Sequence, residues 1–207
     1  DGALYIVDMY RGIAQHRMFV TSFLREQIIA RGLESPLGLG RIWRVVPTKT
    51  ALRETPDLTL MKTEELVAAL THVNGTVRDS AQRLLVEAAD ENAVEMLEDI
   101  AKSGARDRDR IKALWTLQGM NLLKKDLLLV SLSDVHPMVR TNVMRLLEPW
   151  INEDKTFEAM TKLRNDKNFY VRRQVALSSS MRYGPKAIYF LLEQLGNVEN
   201  KKFRSAA

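Results

Sequence analysis

Asp8 and Arg11, in the opening stretch "DGALYIVDMYRG", are the first residues whose types suit chemistry. A carboxylate at that place can ligate a cation or cap the loop that follows, and a guanidinium can hold an anion or close a salt bridge. His16 comes next, without a second histidine or a carboxylate at a metal-ligand spacing such as i+4, so it reads as a surface or helix-start residue. The chain has no cysteine. That excludes disulfides, thiolate metal sites, a cysteine nucleophile and the C-x-x-C-H attachment of a haem within these residues. There is no G-x-S-x-G, no Walker loop, no dinucleotide fingerprint, and no pair of carboxylates spaced for acid–base work.

Four arginines form a second candidate set. "VRDSAQRLL" from Val77, "DRIKALWTL" from Asp109, "VRTNVMRLL" from Val139 and "VRRQVALSS" from Val171 align on Arg78, Arg110, Arg140 and Arg172, spaced by 32, 30 and 32 residues. Counting 32 further reaches Arg204 in "KKFRSAA", where a fifth such segment is expected to begin. A row of guanidiniums can bind phosphates, or it can tie turns and neighbouring repeats together; both readings stand on the spacing alone.

The elements that hold these arginines repeat with them. Each aligned segment follows a turn ("VNG", "SGARD", "SDVHP", "NDKN") and is preceded by another helical run, "TEELVAALTH", "NAVEMLEDIAK", "KKDLLLVSL" and "DKTFEAMTKL". Each unit is therefore a helical hairpin. Val77, Ala81, Leu84 and Leu85 fall on one helical stripe, as do Val139, Val143, Leu146 and Leu147, so every helix has an apolar face to bury. One hairpin cannot cover that face, whereas stacked hairpins bury it continuously, which makes an α-solenoid. Pro137 suits the first turn of its helix, and Asp134 and Asp166 suit the turns before second helices, where a carboxylate accepts backbone N–H groups. His72 and His136 lie at a helix end and in a turn of these repeats and read as structural. Trp43, Trp115 and Trp150 are expected in core or inter-helix packing.

Residues 1–46 read differently. "ALYIVDMY" predicts a buried strand, "GRIWRVV" a second strand opened by Gly40, and "HRMFVTSFLREQIIARG" a helix with Val20, Leu24 and Ile28 on one face, ended by Gly32. Two strands and one helix cannot make an independent core. "PTKTALRETPDLTL", with two prolines and four threonines, predicts a linker over 47–61.

Charge does not single out a nucleic acid. The net charge is +5, with eight Lys and Arg against five acids in residues 1–56 and 23 against 21 in residues 57–207. The excess is small and spread along the chain, so nucleic acid is the least favoured partner. No apolar run is long enough to span a membrane, and residues 1–20 do not carry the zones of a signal peptide.

The D-x-x-P-x-V-R string at Asp134 to Arg140 and its echoes resemble HEAT repeats, over about residues 62–207. The fold class expected is mainly α: a HEAT-like α-solenoid after a short β-rich piece. In HEAT-like repeats the aligned arginine pairs with turn acids or carbonyls between neighbours, which favours a structural role for Arg78, Arg110, Arg140, Arg172 and Arg204. "DGALYIVDMYRG" followed by "GRIWRV" resembles the last blade of sugar dehydrogenase-like β-propellers. The order of propeller end, helical insertion, linker and repeats is similar to that of the bacterial putative membrane-bound dehydrogenase family. This resemblance implies a segment of an exported, periplasmic quinoprotein-like sugar or alcohol dehydrogenase, cut at both ends. The parent would use pyrroloquinoline quinone with calcium, and haem c in a further domain. The array would then be a scaffold between propeller and haem domain, both of which would be partners in the same chain, and the segment by itself would not turn over substrate. Asp8 near the propeller mouth and Arg11 beside it become the cofactor-side candidates, and no metal site is expected otherwise. The other readings are a stand-alone helical-repeat module that binds a protein partner and, last, a HEAT-like nucleic-acid-binding protein.

Overall fold

The same four-residue lead-in places every repeat arginine. The second helices begin at Gly75, Asp107, Pro137 and Phe169, and Arg78, Arg110, Arg140 and Arg172 are each the fourth residue of their helix. The computed structural model from which this follows describes residues 1–35, 37–49 and 51–196. Arg204 and the expected fifth second helix lie outside the described residues. The chain divides into two compact units, Asp1–Pro56 and Asp57–Ala207.

The second unit is built from helical hairpins: α2 (Thr63–Ala69) with α3 (Gly75–Ala88), α4 (Val94–Ser103) with α5 (Asp107–Gly119), α6 (Lys125–Ser131) with α7 (Pro137–Leu147), and α8 (Asp154–Thr161) with α9 (Phe169–Ser179); α10 (Pro185–Gly196) follows. Local chemistry sets the helix starts. The Asn74 and Asn168 side chains accept the N–H groups of Thr76 and Tyr170, and Pro137 opens α7, where an N–H would have no partner in the helix. The second helices pack on one another in succession, α3 on α5, α5 on α7 and α7 on α9.

One continuous core runs through the hairpins. Leu85, Leu97, Leu114, Leu117, Leu128 and Leu147 are all buried to within about 1%, and burying each such side chain contributes roughly 1.5–3 kcal/mol. The apolar stripe expected on α7 is fully buried; on α3, Leu84 is only partly so. Leu58–Leu60, within the segment read as linker, is a single 3-10 turn that packs against α3 and belongs to the helical unit.

In the first unit, β1 (Leu4–Asp8) pairs antiparallel with β2 (Arg41–Val45), with Ile6 opposite Trp43 and Asp8 opposite Arg41. Between them lies α1 (Ser22–Ala30), whose N-cap is Thr21; Gly32, with φ +62°, is the left-handed residue just past its C-cap. The expectation of a buried β1 is corrected: Leu4, Tyr5, Ile6 and Val7 are all exposed, as is Trp43. The reason is geometric, since a two-stranded sheet has two faces and, in the described unit, the single short helix α1, which has no buried residue, covers neither.

Candidate functional site

The repeat arginines are engaged by protein atoms. In each, Nη1 donates to the carbonyl six residues earlier: Arg78 to His72 O, Arg110 to Gly104 O and Arg140 to Asp134 O, all at 2.6 Å, and Arg172 to Asp166 O at 2.7 Å. Two of them also reach the next repeat. Arg110 donates from Nε and Nη2 to the Asp134 carboxylate at 2.8 and 2.9 Å, and Arg140 does the same to Asp166 at 2.9 and 2.9 Å. Each aspartate in turn accepts a backbone N–H of its own turn, from His136 and Asn168. Burial pushes the Asp166 carboxyl up, but the Arg140 hydrogen bonds, the Asn168 N–H and the two nearby arginine charges outweigh it and hold the group below the ordinary aspartate range. Arg110 and Arg140 have all three nitrogens engaged inside the array, and Arg78 and Arg172 hold turn carbonyls through Nη1, so the four do not form an unbroken open row for phosphates.

The outward face of the second helices is where unspent chemistry remains. Five residues past the aligned arginine stand Arg83, Trp115, Arg145 and Leu177, one per helix. Trp115, half-buried and packed against the core as expected, is held in place: its Nε1 donates to Asn142 Oδ1 at 2.9 Å, and the Arg145 guanidinium lies 5.6 Å from its ring centre. Lys112 pairs with Asp79, Arg83 with Glu87, and Glu148 accepts from Gln174 and Ser178. Among the described residues no carboxylate pairs with Arg145 or Arg173, and both are exposed.

Charge is sorted by helix layer. Helices α3, α5, α7 and α9 together carry nine Lys and Arg against four acids, while α2, α4, α6 and α8 carry three against eight. α7 and α9 have no acidic residue at all. This sorting is invisible in a sum over residues 57–207, where the two layers cancel. Aligning the repeats and counting first and second helices separately would have revealed it.

The structure places Asp8 and Arg11 away from any metal-like constellation. Asp8 Oδ1 accepts the Tyr10 N–H at 2.9 Å, and Oδ2 accepts the Trp43 indole N–H at 3.0 Å with Arg41 Nε 3.3 Å away. The Trp43 and Tyr10 hydrogen bonds and the Arg41 charge hold its carboxyl below the usual range. Donors on both oxygens and an adjacent guanidinium do not fit a cation site, and no group of three or more His, Cys, Asp or Glu among the described residues could hold a metal. Arg11 lines an open cavity of about 430 Å³ together with Arg25, Glu34, Val20, Ile28, Leu33 and Leu37. His16 also lines it, and its Nδ1 accepts the Met18 N–H at 3.3 Å. His72 Nδ1 accepts the Asn74 N–H at 3.0 Å, and His136 Nδ1 lies 3.2 Å from Asp107 Oδ2.

A family profile for HEAT repeats matches residues 125–207, and a profile for a domain of unknown function (DUF7133) matches residues 1–49. No curated protein matches the chain. Among solved structures, the crystal structure of an engineered protein is similar over 65% of this chain and 68% of its own, at 18% identity and a TM-score of 0.35. The fold is a HEAT-like α-solenoid preceded by a small β-rich piece, and it constitutes a repeat scaffold of the kind that commonly mediates protein interactions. No described helix is long and apolar enough to cross a membrane. Neither profile description carries an activity or a cofactor.

Proposed function

We propose that the repeat array is a rigid platform that presents its second-helix layer to a protein partner. The observation that carries this reading is the pair of two-pronged arginine–aspartate bonds between successive repeats. They hold α5, α7 and α9 in fixed register, while Arg145, Arg173 and Leu177 remain outward. A platform whose repeats cannot slide loses little entropy on binding. The test is site-directed photo-crosslinking of the full chain. A crosslinker at Leu177 or Met138, on second helices, should capture one defined partner from cell extract, and the same group at Val130 on α6 should not. Equal capture from both layers would overturn the reading.

A second reading, favoured by the exposed apolar residues on β1 and β2, places the first unit within a larger β-propeller. The chain would then be part of an exported sugar or alcohol dehydrogenase, with the array as scaffold between the propeller and a haem domain. Pyrroloquinoline quinone with calcium, and haem c, would be held by those other parts; the surroundings of Asp8 do not fit the calcium. Arg11, which has no carboxylate paired to it among the described residues and lines its cavity, suits an anion. Several hundred codons read on either side of this segment test the reading: propeller repeats upstream and a C-x-x-C-H motif downstream are expected, and neither being present would sink it.

A further inference from the structure

We propose that the outward face of α7 and α9 binds an acidic, extended peptide segment of the partner protein, with Arg145 and Arg173 as its principal contacts and half-buried Trp115 of α5 positioning Arg145. This rests on the platform reading above and names the chemistry of its partner.

Three observations lead there. The first is charge. α7 and α9 bring four arginines and no acid; Arg140 is bound to the Asp166 carboxylate and half-buried Arg172 holds turn carbonyls, while Arg145 and Arg173 are exposed with no carboxylate paired to them among the described residues. Unneutralised like charges on adjacent helices repel in the free protein, and an acidic ligand relieves that repulsion while it gains attraction of its own. The second is preorganisation. Trp115 is half-buried against the core and fixed by Asn142, and the Arg145 guanidinium lies over its ring, so that cation is already oriented before any ligand arrives. The third is the apolar surround. Met138, Tyr170 and Leu177, on α7 and α9, are exposed by 42%, 58% and 50%, so a ligand that alternates acids with apolar side chains meets matching groups at each step.

The same layer argues against a nucleic acid. A phosphate backbone running along the second helices would pass from Arg145 to α5 and α3, where Lys112 is already bound by Asp79 and Arg83 by Glu87. A strand of evenly spaced negative charges needs an evenly cationic track. Among the described residues of the second helices, the exposed cations with no carboxylate partner stand on α7 and α9, which suits a short acidic segment.

The experiment is fluorescence anisotropy on the full 207-residue chain. One labelled probe is a peptide of about twelve residues that alternates Glu with Leu and Phe; a second has Gln in place of Glu, and a third is an oligothymidylate of the same net charge. The acidic peptide is expected to bind at least tenfold more tightly than the Gln peptide, and more weakly as salt is raised. Arg145→Glu with Arg173→Glu should weaken it at least tenfold. Lys155→Glu with Lys162→Glu, which changes the net charge equally on the first-helix side, should leave it within about twofold. Circular dichroism melts of both double variants establish that they fold. Because Arg145 also packs on Trp115, the single variant Arg173→Glu provides an independent arm and should weaken binding by about threefold or more.

Unchanged binding in the Arg145/Arg173 variant, absence of binding by the acidic peptide, or tighter binding of the oligothymidylate would each overturn the proposal. None of these results removes a partner captured specifically from Leu177 or Met138. The acidic-segment proposal can therefore fail while the platform reading survives, and loss of that layer-specific capture is the failure of the platform itself.

Discussion

Arg140 and Asp166 face each other across successive repeats, joined by two parallel bonds of 2.9 Å, Nε to Oδ2 and Nη2 to Oδ1. The third arm of the same guanidinium holds the carbonyl of Asp134, whose own carboxylate is held by Arg110. One arginine thus closes its own turn and fixes the next, and the chain of contacts transmits register from α5 to α9. The pair is largely buried, with side chains 14% and 8% exposed, so its removal is felt where a surface pair would not be.

Breaking this pair should be strongly destabilising and non-additive. Arg140→Gln and Asp166→Asn should each cost about 2–4 kcal/mol, because each leaves a desolvated partner. The double variant should cost clearly less than their sum. Urea unfolding of the four proteins measures it, and strict additivity would show that the two side chains do not act together.

The four repeat arginines should rank by their aspartates. Arg110 and Arg140 each hold a carboxylate of the following repeat, whereas among the described residues Arg78 binds the carbonyls of His72 and Val73 and no carboxylate. Replacing Arg78 by Gln should therefore lower stability by about 1–2 kcal/mol less than replacing Arg110. Thermal melts of the two variants decide the order.

Acid should loosen the array through Asp166. Its carboxyl is held below its unfolded value, so its contribution is complete above an unfolded pKa of about 3.9 and is lost as pH falls through the lower folded value. Unfolding free energy should fall as pH drops below about 4, and Asp166→Asn should flatten that slope. An unchanged slope in the variant would mean that other carboxylates carry the acid sensitivity.

Gly119 should resist enlargement. A Cβ at this position would stand 2.7 Å from Cγ2 of Val86, where α5 meets α3. Gly119→Ala should cost about 1–2 kcal/mol despite the better helix propensity of alanine. Val86→Ala in the same chain should recover part of the loss, which denaturant titration of both variants would register.

Ala89 should accept glycine with a gain. It caps α3 in the left-handed region, with φ 47° and ψ 37°, a conformation that disfavours a side chain by about 1 kcal/mol. Ala89→Gly should raise stability by about 0.5–1 kcal/mol, read as a higher melting temperature.

Amide exchange should separate the two units. β1 and β2 form a sheet with no buried residue, while α3, α5 and α7 sit over the continuous core. Amides in Leu4–Asp8 should exchange rapidly, and those around Leu85, Leu117 and Val143 slowly. The reverse order would show that the first unit is the more stable.

The repeating hairpins were legible in the sequence because the period, the turn residues and the apolar stripe all recur locally. Val139, Val143 and Leu147 must share a face whatever they pack on, and Pro137 must open a helix. What the sequence determined by itself was therefore helix identity, repeat spacing and the alignment of Arg78, Arg110, Arg140 and Arg172. Tertiary structure alone decided which aspartate each guanidinium meets, since Asp134 and Asp166 lie 24 and 26 residues from their arginines and only stacking brings them within bonding distance. It also decided that Trp115, half-buried against the core as expected, stands beside Asn142 and Arg145. Composition averages over both layers of a solenoid, whereas the sorting of acids and bases between first and second helices is carried by the aligned repeats themselves. The strands of residues 1–46 were equally legible as strands, but their burial was not. An alternating apolar pattern states which residues seek cover, whereas whether cover exists depends on what packs against the sheet.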